Sequence, residues 1–120
     1  MHELSIAQNI LEIVSDHLPP GKMQKVKAVT IKVGDGAGVV KDSLEFCFNS
    51  ITAGTPMQET ALKIDRVPFI VRCRACGRTS TNESEFFFCT FCEGSDVALV
   101  SGDELEVSAI ELADEKEGMV

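Results

Sequence analysis

The sequence predicts an α+β fold, with two helices on a small three-stranded sheet and an inserted zinc-ribbon module. Three observations predict it: two segments with apolar residues at helical spacing, segments rich in β-branched residues, and two Cys-x-x-Cys pairs. A chain of 120 residues can form one ordinary domain or two very small ones. We predict an α+β domain at 1–70 plus 103–114, a zinc-ribbon domain at 71–102 and a flexible tail at 115–120.

The first predicted elements are a helix and a strand. Apolar residues recur at three- and four-residue intervals over 4–18, and Pro19-Pro20-Gly21 ends this helix. Residues 26–33 are rich in β-branched side chains and alternate with polar ones, which predicts a strand. The glycines at 34–36 close it with a turn.

A second helix is predicted over 42–51. Asp42, followed three residues later by Glu45, resembles a capping box at its start. The residues predicted for its apolar face are Leu44, Cys47, Phe48 and Ile51.

Two further segments are predicted to be extended. Residues 62–71 run directly into the first cysteine pair, and Pro68 indicates either an edge strand or a kink. The alternation of Leu105, Val107 and Ala109 with polar residues predicts the last strand.

Four cysteines carry the strongest signal in the chain. Two Cys-x-x-Cys turns separated by twelve residues can place four thiolates at the corners of a tetrahedron, as structural Zn²⁺ requires. Two disulfides, an iron centre and a redox pair are the alternatives that this spacing leaves open. The predicted zinc ligands are Cys73, Cys76, Cys89 and Cys92.

The other residues of this region are given structural roles. Cys47 makes the cysteine count odd and is predicted to be a buried, inert thiol. A metal and a few aromatic rings can together fold a segment too short to fold alone. The rings predicted to form this small core are Phe86, Phe87, Phe88 and Phe91.

Charge and targeting signals narrow the function classes. The 11 basic and 19 acidic side chains give a net charge of −8, which opposes nucleic-acid binding. No signal peptide is visible and no apolar run approaches the roughly 18 residues of a membrane helix, so we expect a cytoplasmic protein without a membrane partner. The arginines are interpreted as a solvated rim or a protein-docking patch: Arg66, Arg72, Arg74 and Arg78.

The N-terminus offers a second metal site. The α-amine of Met1 and the amide and imidazole nitrogens of His2 can chelate one ion in fused rings. Square-planar nitrogen ligation favours Ni²⁺ or Cu²⁺ over Zn²⁺. Glu3 is a weaker candidate ligand, whereas His17 is interpreted as structural or solvated.

These motifs together resemble a known family. Met1-His2-Glu3 before a helix, Val33-Gly34, Ser43-Leu44-Glu45-Phe46, the two cysteine pairs and the segment 103–107 are similar to hydrogenase maturation nickel metallochaperones, the HypA/HybF family. The resemblance implies a nickel-binding α+β domain with an inserted zinc ribbon. It also implies delivery of Ni²⁺ to the large-subunit precursor of [NiFe]-hydrogenase, alongside a nickel-handling maturation GTPase.

The chain departs from the family pattern at two places. The second cysteine pair of the family usually reads Cys-Pro-x-Cys-Gly, whereas this chain has Cys89-Thr-Phe-Cys92-Glu, which makes a less rigid turn. Family members often carry an acidic residue where this chain has Val40. An extra nickel ligand from this loop would then fall to Asp35 or Asp42.

The sequence therefore predicts a metal-delivery protein that is not an enzyme. The main alternative is a zinc-ribbon adapter in a transcription or translation assembly, which leaves Met1-His2-Glu3 without a role. A redox switch is the third possibility, but it would need accessible thiols of low pKa. Whether zinc is a passive staple or also regulates the nickel step stays open.

Overall fold

The computed structural model describes residues 3–81 and 87–113. The chain divides into two compact units. The first, here called the helical unit, comprises Met1–Ile31, Val39–Ile64 and Val107–Val120. The second, the cysteine unit, comprises Lys32–Gly38 and Asp65–Glu106. The domain boundaries given above stay a prediction, and the predicted tail at 115–120 lies outside the described residues.

The first helix, α1, spans Glu3–His17 and presents one apolar stripe. Its buried residues are spaced three and four positions apart, as an amphipathic helix requires: Ile6, Ala7, Ile10 and Val14. This stripe belongs to the core of the helical unit, and α1 packs against the second helix.

The second helix, α2, spans Lys41–Thr52 and begins earlier than its sequence predicts. Val40 is the N-cap residue, so the predicted capping box at Asp42 and Glu45 is wrong. Glu45 instead lies 3.9 Å from Lys41, one turn before it. On the predicted apolar face Leu44 and Phe48 are buried, while Cys47 and Ile51 are only partly covered.

One three-stranded sheet has the order β2-β1-β6, formed by β1 (Val26–Gly34), β2 (Ala61–Val67) and β6 (Leu105–Leu112). The Ala113 N–H donates to the Lys25 carbonyl at 2.7 Å, and the Ser108 hydroxyl donates to the Thr30 carbonyl at 3.3 Å. From the first bond to the second, the residue number rises from Lys25 to Thr30 on one strand and falls from Ala113 to Ser108 on the other. β1 and β6 are therefore antiparallel.

The strand predictions hold better for β1 than for β6. β1 contributes many core residues, including Val29 and Ile31. On β6 the predicted alternation fails, because Leu105 and Ala109 are exposed whereas Val107 and Ile110 are partly covered. An edge strand has one neighbour only, and its burial therefore depends on that neighbour more than on its own pattern.

The cysteine unit contains a second three-stranded sheet, with the order β4-β3-β5. Its strands are β3 (Ile70–Cys73), β4 (Thr79–Thr81) and β5 (Val97–Ser101). β3 pairs antiparallel with both neighbours, with Val71 opposite Ser80 on one side and Leu99 on the other. This sheet carries Cys73 at its end.

The sequence indicated either an edge strand or a kink at Pro68. Pro68 lies between β2 and β3, so the chain adopts the kink. The predicted extended segment at 62–71 is two strands that belong to different sheets. The α+β class with two helices, small sheets and a cysteine module is confirmed. Among the described residues no helix has the length and apolarity to cross a membrane.

Candidate metal centre

The four predicted cysteines come together at one point of the cysteine unit. Their sulfur atoms all lie within 4.8 Å of one another. Cys73 Sγ lies 3.6 Å from Cys92 Sγ, and Cys76 Sγ lies 3.7 Å from Cys89 Sγ.

The sulfur–sulfur distances distinguish a pair of disulfides from a bound tetrahedral metal ion. A disulfide needs about 2.05 Å between sulfurs, and all five cysteines are free. A tetrahedral ion with Zn–S bonds of about 2.3 Å has edges of about 3.8 Å, close to both measured separations. The donor set therefore fits Zn²⁺.

Each cysteine pair is held by the same backbone turn. In the first turn the Cys73 N–H donates to the Arg78 carbonyl at 2.8 Å, and the Gly77 N–H donates to the Cys73 carbonyl at 2.9 Å. In the second turn the Cys89 N–H donates to the Gly94 carbonyl at 2.8 Å, and the Glu93 N–H donates to the Cys89 carbonyl at 2.9 Å. The chain thus builds the metal centre from two copies of one motif.

Backbone N–H groups also point at the sulfurs. The Cys76 N–H lies 3.4 Å from Cys73 Sγ, while the N–H groups of Phe91 and Cys92 lie 3.4 and 3.5 Å from Cys89 Sγ. Such donors favour the thiolate over the neutral thiol. They prepare the first cysteine of each pair to bind a cation.

The pKa values of the thiols follow from these contacts. The Cys92 and Phe91 N–H groups lower the pKa of Cys89 from 9.0 to about 6, against the opposing effect of burial. The pKa of Cys73 is lowered by the Cys76 N–H. For Cys92 the Gly94 N–H lowers the pKa, but the sulfurs of Cys73 and Cys89 outweigh it and raise the value to about 11. Neighbouring thiols thus lose their protons one after another as the pH rises. A bound divalent cation would displace the protons that are held most tightly.

The phenylalanine prediction is only partly right. Phe87 and Phe91 are 56% and 57% exposed, so they do not form a closed core around the cysteines. Phe86 lies outside the described residues, and Phe88 is half-buried. The buried ring is Phe69, which meets Phe87 edge-on at 5.3 Å between ring centroids.

Three of the four arginines make local contacts. Arg66 binds Asp35 at 2.8 Å, and Arg74 binds Asp96 at 2.9 Å. The Arg78 guanidinium lies 5.1 Å from the centre of the Phe91 ring. These contacts are exposed and contribute little stability.

The residues predicted for nickel are described only in part. Met1 and His2 lie outside the described residues. Glu3 opens α1, and its Oε2 accepts a hydrogen bond from the Val40 N–H at 3.2 Å. Of the two substitutes for the missing loop carboxylate, Asp35 is bound to Arg66 and Asp42 is exposed in the first turn of α2. The sequence contains no short-range signal of the Glu3–Val40 contact, because 37 residues separate its partners.

The sequence analysis interpreted His17 as structural or solvated and predicted that Cys47 is a buried, inert thiol. His17 is exposed at the end of α1, where its Nδ1 lies 2.8 Å from the Ile13 carbonyl oxygen. Cys47 is free but only half-buried, so the expectation of a buried thiol is wrong. It lies on α2, away from the four-sulfur cluster in the sequence.

Comparison with known proteins agrees with the pattern of motifs. Residues 1–112 match the family model described as "Hydrogenase/urease nickel incorporation, metallochaperone, hypA". The chain is 39% identical over 119 residues to a hydrogenase maturation factor HypA of Desulfatibacillum aliphaticivorans, covering 98% of this chain and 91% of the relative. It is 40% identical over 113 residues to the protein of the same name from Desulfosudis oleivorans, covering 93% and 98%.

A solved structure has the same fold. The solution structure of the Ni metallochaperone HypA from Helicobacter pylori superposes with a TM-score of 0.64 at 18% sequence identity. The match covers 94% of this chain and 98% of that one.

Proposed function

This chain belongs to the family of hydrogenase/urease nickel incorporation metallochaperones, and we propose that it binds its Ni²⁺ cargo through Met1 and His2. It is a nickel metallochaperone of hydrogenase maturation. The observation that carries the proposed site is the family match over residues 1–112, which begins at the tripeptide Met1-His2-Glu3.

The proposed nickel ligands are nitrogen atoms at the start of the chain. The α-amine of Met1 and the amide and imidazole nitrogens of His2 form fused chelate rings, which suit the square-planar preference of Ni²⁺. The amine, the imidazole and the His2 amide bind Ni²⁺ only without the protons that acid places on them, so binding releases protons and acid favours release.

The resident metal is Zn²⁺, and we assign its ligands as Cys73, Cys76, Cys89 and Cys92. The sulfur separations of 3.6 and 3.7 Å support this assignment. Bound there, zinc would supply the cross-link that joins the two cysteine turns. The exposed sides of Cys76 and Cys92 would leave one face of the centre toward solvent.

The partners follow from the maturation role. We propose that the chain hands Ni²⁺ to the large-subunit precursor of [NiFe]-hydrogenase, together with a nickel-handling GTPase, and that it catalyses no reaction itself. A reducing cytoplasm suits its five free thiols. The alternative of a zinc-ribbon adapter in transcription or translation is not favoured, because the family match includes both the N-terminus and the cysteines.

The nickel site is tested by calorimetry on untagged, zinc-loaded protein. We expect one Ni²⁺ per chain, and we expect His2→Ala or any residues added before Met1 to abolish binding. His17→Ala removes the other histidine of the chain and should leave binding unchanged. If the N-terminally extended protein binds nickel as tightly as the native one, the amine is not a ligand and the proposed site is wrong.

A further inference from the structure

The four cysteines of the metal centre differ in their access to solvent. Cys73 and Cys89 are 1% and 0% exposed, whereas Cys76 and Cys92 are exposed. Each turn therefore buries its first cysteine and exposes its second. A reagent in solution reaches the second cysteine of each turn before the first.

The two exposed cysteines have different surroundings. The Gly94 N–H donates to Cys92 Sγ, and a Cβ at Gly94 would lie 3.3 Å from that sulfur, so the Gly94 backbone packs against it. Among the described residues, the hydrogen-bond partners of Cys76 Sγ are sulfur atoms and not backbone N–H groups. An N–H donor draws charge from a thiolate and lowers its nucleophilicity. Cys76 is thus the more open and the more nucleophilic of the two.

Cys76 also has a buried sulfur within reach. Cys89 Sγ lies 3.7 Å from Cys76 Sγ, and a disulfide bond is about 2.05 Å long, so an approach of about 1.7 Å would join them. The two cysteines belong to different turns. A disulfide between them would link the two turns, as the bound metal does.

We propose that Cys76 is an oxidation site, at which a hydroperoxide converts the metal centre into a disulfide between Cys76 and Cys89. This inference rests on the assignment of the four cysteines as zinc ligands. A coordinating cation keeps all four sulfurs deprotonated, which supplies the thiolate that a peroxide-sensitive cysteine requires.

The oxidation takes two steps, written here for hydrogen peroxide. The Cys76 thiolate attacks one peroxide oxygen, so that an S–O bond forms, the O–O bond breaks and hydroxide leaves. The Cys89 thiolate then attacks the sulfur of the Cys76 sulfenic acid, so that an S–S bond forms, the S–O bond breaks and a second hydroxide leaves. The two sulfurs give two electrons to the peroxide. Only two thiolates, Cys73 and Cys92, then remain for the ion, which should dissociate because a structural zinc site has four ligands.

The test treats zinc-loaded protein with hydrogen peroxide in a Cys47→Ser background, which removes the thiol outside the cluster. We expect dimedone, which traps sulfenic acids, to label Cys76 first. Mass spectrometry of the digested protein should find the Cys76–Cys89 disulfide. A zinc-sensitive dye should detect the release of one zinc per chain, and dithiothreitol with added zinc should restore the original content.

Two matched variants compare the exposed cysteines. Histidine binds zinc but forms no sulfenic acid, and three cysteines with one histidine are a common structural zinc site. We expect Cys76→His to release zinc about tenfold more slowly than the background protein, and Cys92→His to stay within about twofold of it. If either variant fails to hold zinc, limiting N-ethylmaleimide on the background protein makes the same comparison, and Cys76 should react first.

Three results would overturn the proposal. They are labelling of Cys92 before Cys76, a first disulfide within one Cys-x-x-Cys pair, and full zinc retention in peroxide. Less than one zinc per chain in the reduced protein would reject the zinc assignment, and the oxidation site with it.

Discussion

Gly77 and Glu93 occupy the same position in the two cysteine turns. Each lies four residues after the first cysteine of its pair, and each donates its N–H to that cysteine's carbonyl at 2.9 Å. Both backbones are left-handed, with φ of 76° at Gly77 and 63° at Glu93. Among the described residues Glu93 is the one non-glycine residue with a positive φ. The second turn thus adopts the glycine conformation without a glycine.

Glu93→Gly should stabilise the cysteine unit. The left-handed conformation costs a residue with a Cβ about 1–2 kcal/mol, and this strain is absent with glycine. Glycine also makes the unfolded chain more flexible, which offsets part of the stabilisation. We expect a net increase of about 1 kcal/mol in the free energy of unfolding. Urea denaturation of the zinc-loaded protein measures it.

Gly77→Ala is the matched control. A Cβ at Gly77 meets no other heavy atom within 4 Å, so the substitution adds backbone strain without a clash. After the smaller flexibility of alanine in the unfolded state is counted, it should destabilise the protein by about 1 kcal/mol. Equal stability of native protein and Glu93→Gly would mean that the loop around Glu93 relaxes the strain in solution.

Cys76→Ser should release the zinc and destabilise the cysteine unit. Structural zinc binding contributes about 10–16 kcal/mol in small zinc domains, so its loss lowers the stability of the segment that holds the ion. We expect less than one zinc per chain by elemental analysis, with the circular dichroism of α1 and α2 retained. Cys47→Ser removes a thiol outside the cluster and should keep one zinc. Full zinc retention in Cys76→Ser would contradict the four-cysteine assignment.

The metal-free protein should titrate its thiols over a wide pH range. Donated backbone N–H groups lower the pKa of Cys89 from 9.0 to about 6, so its thiolate stabilises the folded state above pH 9 and this contribution is lost as pH falls toward 6. The pKa of Cys92 is raised to about 11, so Cys92 has the opposite effect, and stability falls as pH rises from 9 to 11.

Ultraviolet absorbance of the thiolate follows this titration. We expect ionisation of the cluster to begin near pH 6 and to be complete only near pH 11, with the first part of the rise lost in Cys89→Ser. Zinc affinity should decrease as pH decreases, because protons and the ion compete for the same sulfurs. A single step near pH 9 would show that the metal-free turns do not keep their N–H contacts to sulfur.

The sequence predicts this fold best where the determinants are local. The spacing of Ile6, Ile10 and Val14 identifies α1, and the two Cys-x-x-Cys pairs identify the metal centre before any distance is known. Helical periodicity and short ligand spacing are properties of neighbouring residues, so a single sequence reveals them.

The errors come from contacts between distant parts of the chain. α2 begins at Lys41 with Val40 as its N-cap residue, whose N–H donates to Glu3 37 residues earlier, whereas the local pattern pointed to Asp42. Phe87 is exposed although it was predicted to belong to the small core near the cysteines, whereas Phe69, from the preceding extended segment, is buried. Tertiary packing overrides local propensity at such positions.

Gly34→Ala should destabilise the protein more than Gly21→Ala does. A Cβ at Gly34 would lie 2.0 Å from the Gly102 carbonyl oxygen, and the Gly34 N–H already donates to the Glu104 carbonyl at 2.7 Å. The clash is with backbone that is itself hydrogen-bonded to Gly36 at 2.7 Å, so neither side can move away without losing a bond. We expect a loss of about 3 kcal/mol or more in urea denaturation. Gly21→Ala, which meets no atom within 4 Å and carries only the strain of its φ of 84°, should lose about 1 kcal/mol. Equal losses for the two substitutions would show that the close approach of Gly34 and Gly102 does not limit stability.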